Sequence, residues 1–232
     1  MIIGIAGNIN SGKDTVASML LYIHQVGKNN AKYSDWLTKR LAYENSFKHK
    51  IVHFAHVIKS NLANIFCLDI NYFNNRKYKD ELWYHPSTGK FLEDKELKSY
   101  TKQITLDNFD QFSANNPNHV VKLRTLIQIY AENCKEMFGH LIWCKTTINQ
   151  AYWVNQAHKI CIIPDVRFYD ESMSIRANGG IVIKIVRING EIKSNHVSEN
   201  NDYEYDFLIQ NNSSLQTLFF KVLALYEQIK NK

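Results

Sequence analysis

A short loop near the start of the chain has the residue types and spacing that bind phosphate groups. Gly7 and Gly12 stand at its first and sixth positions, and Lys13 follows directly. Glycines let the backbone turn tightly so that successive N–H groups converge, and the lysine adds a mobile positive charge. The following helix adds the positive end of its dipole. The pattern predicts a P-loop for a nucleotide triphosphate, formed by Gly7, Asn8, Ile9, Asn10, Ser11, Gly12, Lys13, Asp14 and Thr15.

The residue after the lysine departs from the usual pattern of such loops. A serine or threonine normally stands there and places its hydroxyl on magnesium, whereas this chain has Asp14 followed by Thr15. A carboxylate suits a helix N-terminus and a hard cation, but it repels phosphate unless a metal lies between them. Asp14 is therefore a metal ligand, a group that positions the transferred phosphoryl, or a helix cap turned to solvent.

A second group of charged residues follows the apolar run at residues 160–163, in the order Pro164, Asp165, Val166, Arg167. In a parallel α/β sheet, ligands bind at the carboxyl ends of the strands. Asp165 can hold Mg²⁺ directly or through water, and Arg167 can bind phosphate oxygens. A surface Asp–Arg pair that closes a turn is the alternative. The expected metal ligands are Asp14, Thr15 and Asp165.

Two predicted helices carry further polar candidates. Arg124 and Gln128 are four residues apart, so they share one face of a helix beside its apolar stripe. Lys59 lies in the first turns of a helix that follows a predicted strand. It either faces an anionic ligand or is a solvated surface lysine. His49, His53 and His56 are clustered, but they lack a fourth ligand at a recognisable spacing, which argues against a metal site there.

The elements that position these residues alternate along the chain. Apolar runs predict strands at residues 2–6, 51–55, 160–163, 181–186 and 207–209, and helical spacing predicts helices at 12–26, 34–46, 120–138 and 169–178, with others near Ile58, near Trp143 and after Ser213 or Ser214. Residues 71–118 are polar and irregular, with a turn at 86–89. This alternation predicts an α/β fold in which helices cover both faces of a mostly parallel sheet.

Composition sets wider bounds. The 232 residues suit one α/β domain, 45% of them are hydrophobic and 22% charged, and the net charge is +6. No signal sequence or long apolar run is visible, so we expect an intracellular, cytoplasmic protein without a membrane partner. A basic balance suits nucleic acid or a polyanionic nucleotide equally. The four cysteines have no CxxC spacing, and we expect free, buried thiols.

Several stretches together resemble the deoxynucleoside monophosphate kinases of tailed bacteriophages and related viruses. The resemblance rests on residues 7–15, on Leu123-Arg124 with Gln128, and on residues 163–167 with Glu171 following. It continues in residues 177–180, in 195–199 and in 206–218. It covers roughly residues 1–26 and 120–230. An aspartate follows the loop lysine in that family, so Asp14 supports the resemblance.

The resemblance implies a three-layer nucleoside-monophosphate-kinase-like fold over residues 1–232, which transfers the γ-phosphoryl group of ATP to a deoxynucleoside monophosphate. Residues 71–118 would be an insertion or acceptor-side segment, and residues 188–205 the lid. The catalytic residues implied are Lys13, Asp14, Arg124, Asp165, Arg167 and Glu171. Arg187 joins the loop as an ATP contact, and the acceptor contacts expected are Lys59, Arg124, Gln128, Asp165 and Arg167. Mg²⁺ is the expected cofactor.

Two other kinds of protein remain open at this point. One is another small-molecule P-loop kinase, of the dephospho-coenzyme A or phosphomevalonate kinase type. The other is a non-enzymatic protein that binds nucleotides, which the basic charge and scattered aromatics would suit. No zinc spacing, helix-turn-helix or RNA-binding signature supports a stable nucleic-acid partner. A homodimer is also open, and in a viral protein the location would be the host cytoplasm.

Overall fold

Contacts divide the chain into two units. Unit 1 comprises Met1–Phe54 and Cys144–Lys232, and unit 2 comprises Ala55–Trp143. The structure, a computed structural model, describes residues 1–99, 101–187 and 203–230, apart from the side chains of residues 42–45. The elements, in chain order, are β1 (Ile2–Ala6), α1 (Lys13–Val26), α2 (Tyr33–Ser46), α3 (His56–Ile65), α4 (Ile70–Asn74), β2 (Trp83–His85), β3 (Lys90–Leu92), β4 (Lys102–Ile104), β5 (His119–Val121), α5 (Leu123–Phe138), α6 (Ile142–His158), β6 (Cys161–Val166), α7 (Tyr169–Ala177), β7 (Ile181–Val186), β8 (Phe207–Gln210) and α8 (Leu215–Lys230).

The sheet of unit 1 has four parallel strands in the order β6-β1-β7-β8. Ile3 of β1 pairs with Ile162 on one side and with Ile181 on the other. Because all four strands run the same way, their carboxyl ends meet at one edge of the sheet. The residues that follow β1, β7 and β8, and the last residues of β6, are thereby brought together.

Apolar side chains cover both faces of this sheet. Ile3 and Ile5 are fully buried in one cluster with residues of α1 and α8. Ile2 belongs to a second cluster, which contains residues of α6 and α7. Successive side chains of a strand point to opposite faces, so the two clusters lie on opposite faces of the sheet. The prediction of a parallel sheet flanked by helices is confirmed.

The sheet of unit 2 was not predicted from the sequence. Its four short strands have the order β3-β2-β5-β4 and mixed directions, since β2 is antiparallel to β3 and β5, whereas β4 is parallel to β5. Each strand has three residues, too few for an alternating pattern to be recognised. The predicted turn at 86–89 is confirmed, because the Thr88 and Gly89 N–H groups donate to the His85 carbonyl.

Two elements differ from the prediction, each for its own reason. Residues 51–55 form no strand: Ile51 makes a single bridge to Ile162, and the helix α3 begins at His56. The helix predicted from residue 120 begins at Leu123, because residues 119–121 pair as β5 with β4. The single bridge at Ile51 is too short to make residues 51–55 a strand, whereas the pairing of residues 119–121 with β4 overrides their local helical pattern.

The remaining predictions concern the domain organisation, the lid, the cysteines and membrane-spanning helices. The single domain with an insertion at 71–118 stays a prediction, and that segment lies within unit 2. Residues 188–202 of the predicted lid lie outside the described residues. All four cysteines are free; Cys144 and Cys161 are buried, whereas the prediction of burial is wrong for the exposed Cys67. Within the described ranges, no helix is long and apolar enough to cross a membrane.

Candidate active site

The loop at residues 7–15, here called the glycine loop, leaves the carboxyl end of β1 and enters α1. The Ser11 N–H donates to the Asn8 carbonyl at 3.2 Å and closes a turn in the loop. Gly7, Asn10 and Gly12 have positive φ angles of 147°, 63° and 99°. Gly12 is also the N-cap of α1. A loop that turns this tightly directs main-chain groups inward, and the helix N-terminus adds unpaired N–H groups beside it.

Close packing explains why the loop requires glycine at both ends. A Cβ atom on Gly7 would lie 2.4 Å from the main-chain oxygen of Ile185 in β7. A Cβ atom on Gly12 would lie 2.5 Å from the side-chain nitrogen of Asn211. Both distances are far below van der Waals contact. The strand β7 and Asn211, the residue that follows β8, therefore help to determine the shape of the glycine loop.

The side chain of Lys13 folds back over the glycine loop. Its Nζ atom donates to the Gly7 carbonyl at 2.6 Å and to the Asn8 carbonyl at 2.8 Å. The Ser11 hydroxyl is buried and has no hydrogen-bond partner among the described residues. A buried polar group without a protein partner costs free energy. An ammonium group over the loop and an unsatisfied hydroxyl within it both fit the binding of an anion.

A cavity of about 420 Å³ borders the first turn of α1. It is lined by Asp14, Ala17, Ser18, Leu21, Arg40, Phe47, Lys48, Ile51, His53 and Pro164. Asp14 is exposed, and the cationic side chains of Arg40 and Lys48 share the lining with it. The Arg40 guanidinium carbon lies 5.5 Å from the ring centre of the buried Trp36. The cavity thus combines positively charged and apolar side chains, and it lies directly beside the glycine loop.

Asp165 is the second-to-last residue of β6, the strand next to β1 in the sheet. Ala6, the last residue of β1, pairs with Val166. One carboxylate oxygen of Asp165 lies 3.5 Å from Nδ1 of His53, and the other is buried without a hydrogen-bond partner in the described part of the chain. A free carboxylate oxygen at this edge fits a hard cation.

No group of three or more His, Cys, Asp or Glu side chains within the described residues could hold a metal ion. Magnesium in phosphoryl-transfer enzymes usually takes one or two carboxylates together with phosphate oxygens and water. Asp165 fits that requirement, with the Thr15 hydroxyl and Asp14 as the other predicted ligands. The structure is thus suited to a metal that arrives with a nucleotide.

Glu171 supports the turn after β6. Its carboxylate accepts hydrogen bonds from the Arg167 N–H at 2.7 Å and the Phe168 N–H at 3.1 Å. Burial raises the pKa of Glu171 to about 7, against the two N–H bonds that favour the charged form. The Arg167 side chain is exposed. Glu171 therefore holds the main chain that carries Arg167, and the guanidinium is accessible to a ligand.

Unit 2 contains the other predicted acceptor residues. Arg124, in the first turn of α5, is bound by both carboxylate oxygens of Asp80. Gln128 is half-buried one turn later. Nζ of Lys59, in α3, donates to the side chain of Asn74 at 2.9 Å. The side chains of Arg124 and Lys59 are thus held in defined positions within unit 2.

A family model described as deoxynucleotide monophosphate kinase matches residues 1–222. This chain belongs to that family. The family predicted from the sequence is therefore confirmed. A deoxynucleotide monophosphate kinase is a phosphotransferase that phosphorylates deoxynucleoside monophosphates, with ATP as the donor implied by the family. A comparison with curated proteins gives no significant match.

The structure of this kinase also contains a residue that sequence reasoning missed. Asn211 follows β8 directly, is buried, and donates its side-chain amide to the Ser11 carbonyl in the glycine loop. A polar residue immediately after an apolar strand is the signal that identified Asp165, and it could have identified Asn211. Arg187 follows β7 at the same edge and is exposed. It stays a predicted ATP contact.

Proposed function

We propose that this deoxynucleotide monophosphate kinase binds ATP in the glycine loop and transfers its γ-phosphoryl group to a deoxynucleoside monophosphate, giving the diphosphate for DNA precursor synthesis. The observation that carries the proposal is the geometry of the loop, which turns between β1 and α1 with Lys13 folded over it. A loop of main-chain N–H groups at a helix N-terminus, supplemented by one ammonium group, suits the donor phosphates.

Magnesium belongs to the same proposal. Asp165, with its free carboxylate oxygen, would hold the ion together with Thr15 and Asp14. When bound, Mg²⁺ neutralises charge on the phosphates and orients them. Asp14 is exposed in the first turn of α1, where it either contacts the metal or positions the transferred group.

The acceptor is proposed to contact cationic groups in each unit. In unit 1, the cavity beside Asp14 supports an acceptor site. Arg40 and Lys48 can bind a phosphate there, and the apolar side chains of the lining can contact a sugar or a base. In unit 2, Arg124 is the acceptor contact that the family resemblance implies, and Lys59 and Gln128 are proposed from their positions on α3 and α5. Arg167 is proposed to bind phosphate oxygens through its exposed guanidinium.

Phosphoryl transfer to an acceptor phosphate requires little proton abstraction. The protein chiefly aligns the two nucleotides and supplies positive charge where negative charge spreads in the transition state. Lys13 and Arg167 can supply that charge in unit 1, and Arg124 in unit 2. Residues 188–205 are proposed as a lid, which would exclude water because water is itself an acceptor.

We also propose the three-layer nucleoside monophosphate kinase fold, a homodimer and a cytoplasmic location, which is the host cytoplasm if the protein is viral. A small nucleotide is the partner that the kinase family supports.

The experiment is an assay of ATP-dependent phosphorylation of dAMP, dGMP, dCMP and dTMP by the purified protein and by Lys13→Ala. We expect turnover of at least one of the four by the wild-type protein, and a loss on the order of 10³-fold in Lys13→Ala because transition-state charge is no longer stabilised. Lys28→Ala is the matched control, since Lys28 lies beyond the other end of α1 and pairs with Glu227. Lys13→Ala with wild-type turnover would overturn the site.

A further inference from the structure

A buried asparagine at the end of the last strand binds the main chain of the glycine loop. The Asn211 N–H donates to the Val186 carbonyl at 2.8 Å, which extends the pairing of β8 with β7 by one residue. The side-chain Nδ2 of Asn211 donates to the Ser11 carbonyl, also at 2.8 Å. Only 9% of the residue is exposed. The sheet therefore holds the main chain of Asn211, and the side chain of Asn211 holds the loop.

This hydrogen bond determines the direction of a loop N–H group. The peptide that joins Ser11 to Gly12 is planar and trans, so its C=O and N–H groups point in opposite directions. Because the Ser11 carbonyl points to Asn211, the Gly12 N–H points away from Asn211. Without a donor at residue 211, this peptide would be free to rotate, since Gly12 tolerates a wide range of backbone angles.

Packing supports the same function for Asn211. Its Nδ2 atom lies 2.5 Å from the position that a Cβ atom on Gly12 would occupy, so it fills the space beside Gly12. Gly12 has a φ of 99° and is the N-cap of α1. The amide of Asn211 thus restricts both the orientation and the position of the residue that begins the helix.

We propose that Asn211 is a positioning residue for the donor nucleotide: by binding the Ser11 carbonyl, it orients the Gly12 N–H toward the triphosphate. Asn211 acts through the loop and need not touch the nucleotide. The inference rests on the proposed function, because it assumes that the glycine loop binds ATP. Preorganised N–H groups bind an anion more tightly than groups that must first be ordered, since less entropy is lost on binding.

Two substitutions of Asn211 test this inference. Asn211→Asp keeps the shape of the side chain, but replaces the donor by an oxygen that repels the Ser11 carbonyl. Asn211→Ala removes the donor without adding a buried charge, which provides a second variant if the first does not fold. Gln210→Glu is the matched control, because Gln210 is the exposed neighbour and gains the same charge as Asn211→Asp.

The measurements are the Kd of ATP by calorimetry, the KM of each substrate, and the melting temperature, with binding measured well below the melting temperature. We expect the Kd of ATP to rise about tenfold or more in both Asn211 variants, and the KM of the deoxynucleoside monophosphate to change by less than about twofold. Gln210→Glu should match the wild-type protein.

The outcomes separate this inference from the proposed function. A wild-type protein that binds no ATP would contradict the proposed function, and the inference with it. Folded Asn211→Ala with an unchanged Kd of ATP would overturn the inference alone. An equal rise in the KM of both substrates would also overturn it, because general loosening of the fold affects donor and acceptor alike.

Discussion

The guanidinium group of Arg124 is bound by both carboxylate oxygens of Asp80, at 2.7 and 3.0 Å. Burial alone would raise the pKa of Asp80, but the hydrogen bond and charge of Arg124, together with the nearby charges of Lys79 and Arg76, lower that pKa. Asp80 is therefore ionised near neutral pH and forms a bidentate pair, which fixes the plane of the guanidinium. The pair presents Arg124 in one orientation while half of its side chain is exposed.

Arg124→Ala should weaken use of the acceptor more than use of ATP. A preoriented arginine binds phosphate oxygens, so we expect the KM of the deoxynucleoside monophosphate to rise about tenfold and the KM of ATP to change by less than about twofold. The measurement is steady-state kinetics with each substrate varied in turn. Lys135→Ala is the matched control, because Lys135 is a charged residue on the same helix and pairs only with the nearby Glu132 among the contacts described. Equal acceptor kinetics in the two variants would remove Arg124 from the site.

Gly12→Ala should abolish ATP binding, whereas Gly27→Ala should not. Both glycines have positive φ angles, of 99° and 78°, so alanine strains the backbone at either position, and more so at Gly27, whose ψ of 146° lies near a region almost confined to glycine. Only at Gly12 does the new Cβ atom meet a neighbour, the Asn211 side chain at 2.5 Å; nothing lies within 4 Å at Gly27. Calorimetric titration with ATP distinguishes the two. If Gly12→Ala binds ATP as Gly27→Ala does, the close contact does not shape the loop.

Arg40→Ala tests the cavity beside Asp14. We expect the KM of the deoxynucleoside monophosphate to rise about fivefold, because one of the positive charges that line the cavity is lost. Lys39→Ala on the same helix is the control, since Lys39 does not line the cavity and pairs with Asp35 at 2.7 Å. A rise in the KM of ATP in place of the acceptor KM would assign the cavity to the donor and contradict the proposal.

Glu171 should make stability depend on pH in a direction opposite to that of most carboxylates. Its pKa is raised from 4.5 to about 7 by burial, so between these values the folded protein binds a proton that the unfolded chain has lost. The free energy of unfolding contributed by this group is therefore fully present below about pH 4.5 and is lost as pH rises through 7. The expected loss is on the order of 3 kcal/mol.

Denaturant unfolding of the wild-type protein and Glu171→Gln across pH 4.5 to 8 measures this effect. The difference in stability between them should shift toward the variant as pH rises. Asp170→Asn, at the exposed neighbouring position, controls for the loss of a carboxylate from the same helix turn. A difference that does not change with pH would show that burial of Glu171 does not alter its titration in the folded state.

Much of unit 1 could be predicted from the sequence. The runs at 2–6 and 181–186 are largely apolar over the length of a strand, and the helices α1 and α8 have regular apolar spacing, so local pattern and tertiary structure agree. Lys13 could be identified because it ends the glycine loop that follows the run at 2–6, and Asp165 because it lies two residues after the run at 160–163. The second sheet could not, because strands of three residues contain too little pattern.

The sequence alone determined the glycine loop, the alternation of strands and helices, and the family, because each depends on residue types that are close together along the chain. Only the tertiary structure placed Asn211 against Ser11, Asp80 against Arg124 and His53 against Asp165. The members of these pairs are 200, 44 and 112 residues apart. Their contacts depend on strand order, pairing register and helix packing, which are decided by burial across the whole unit.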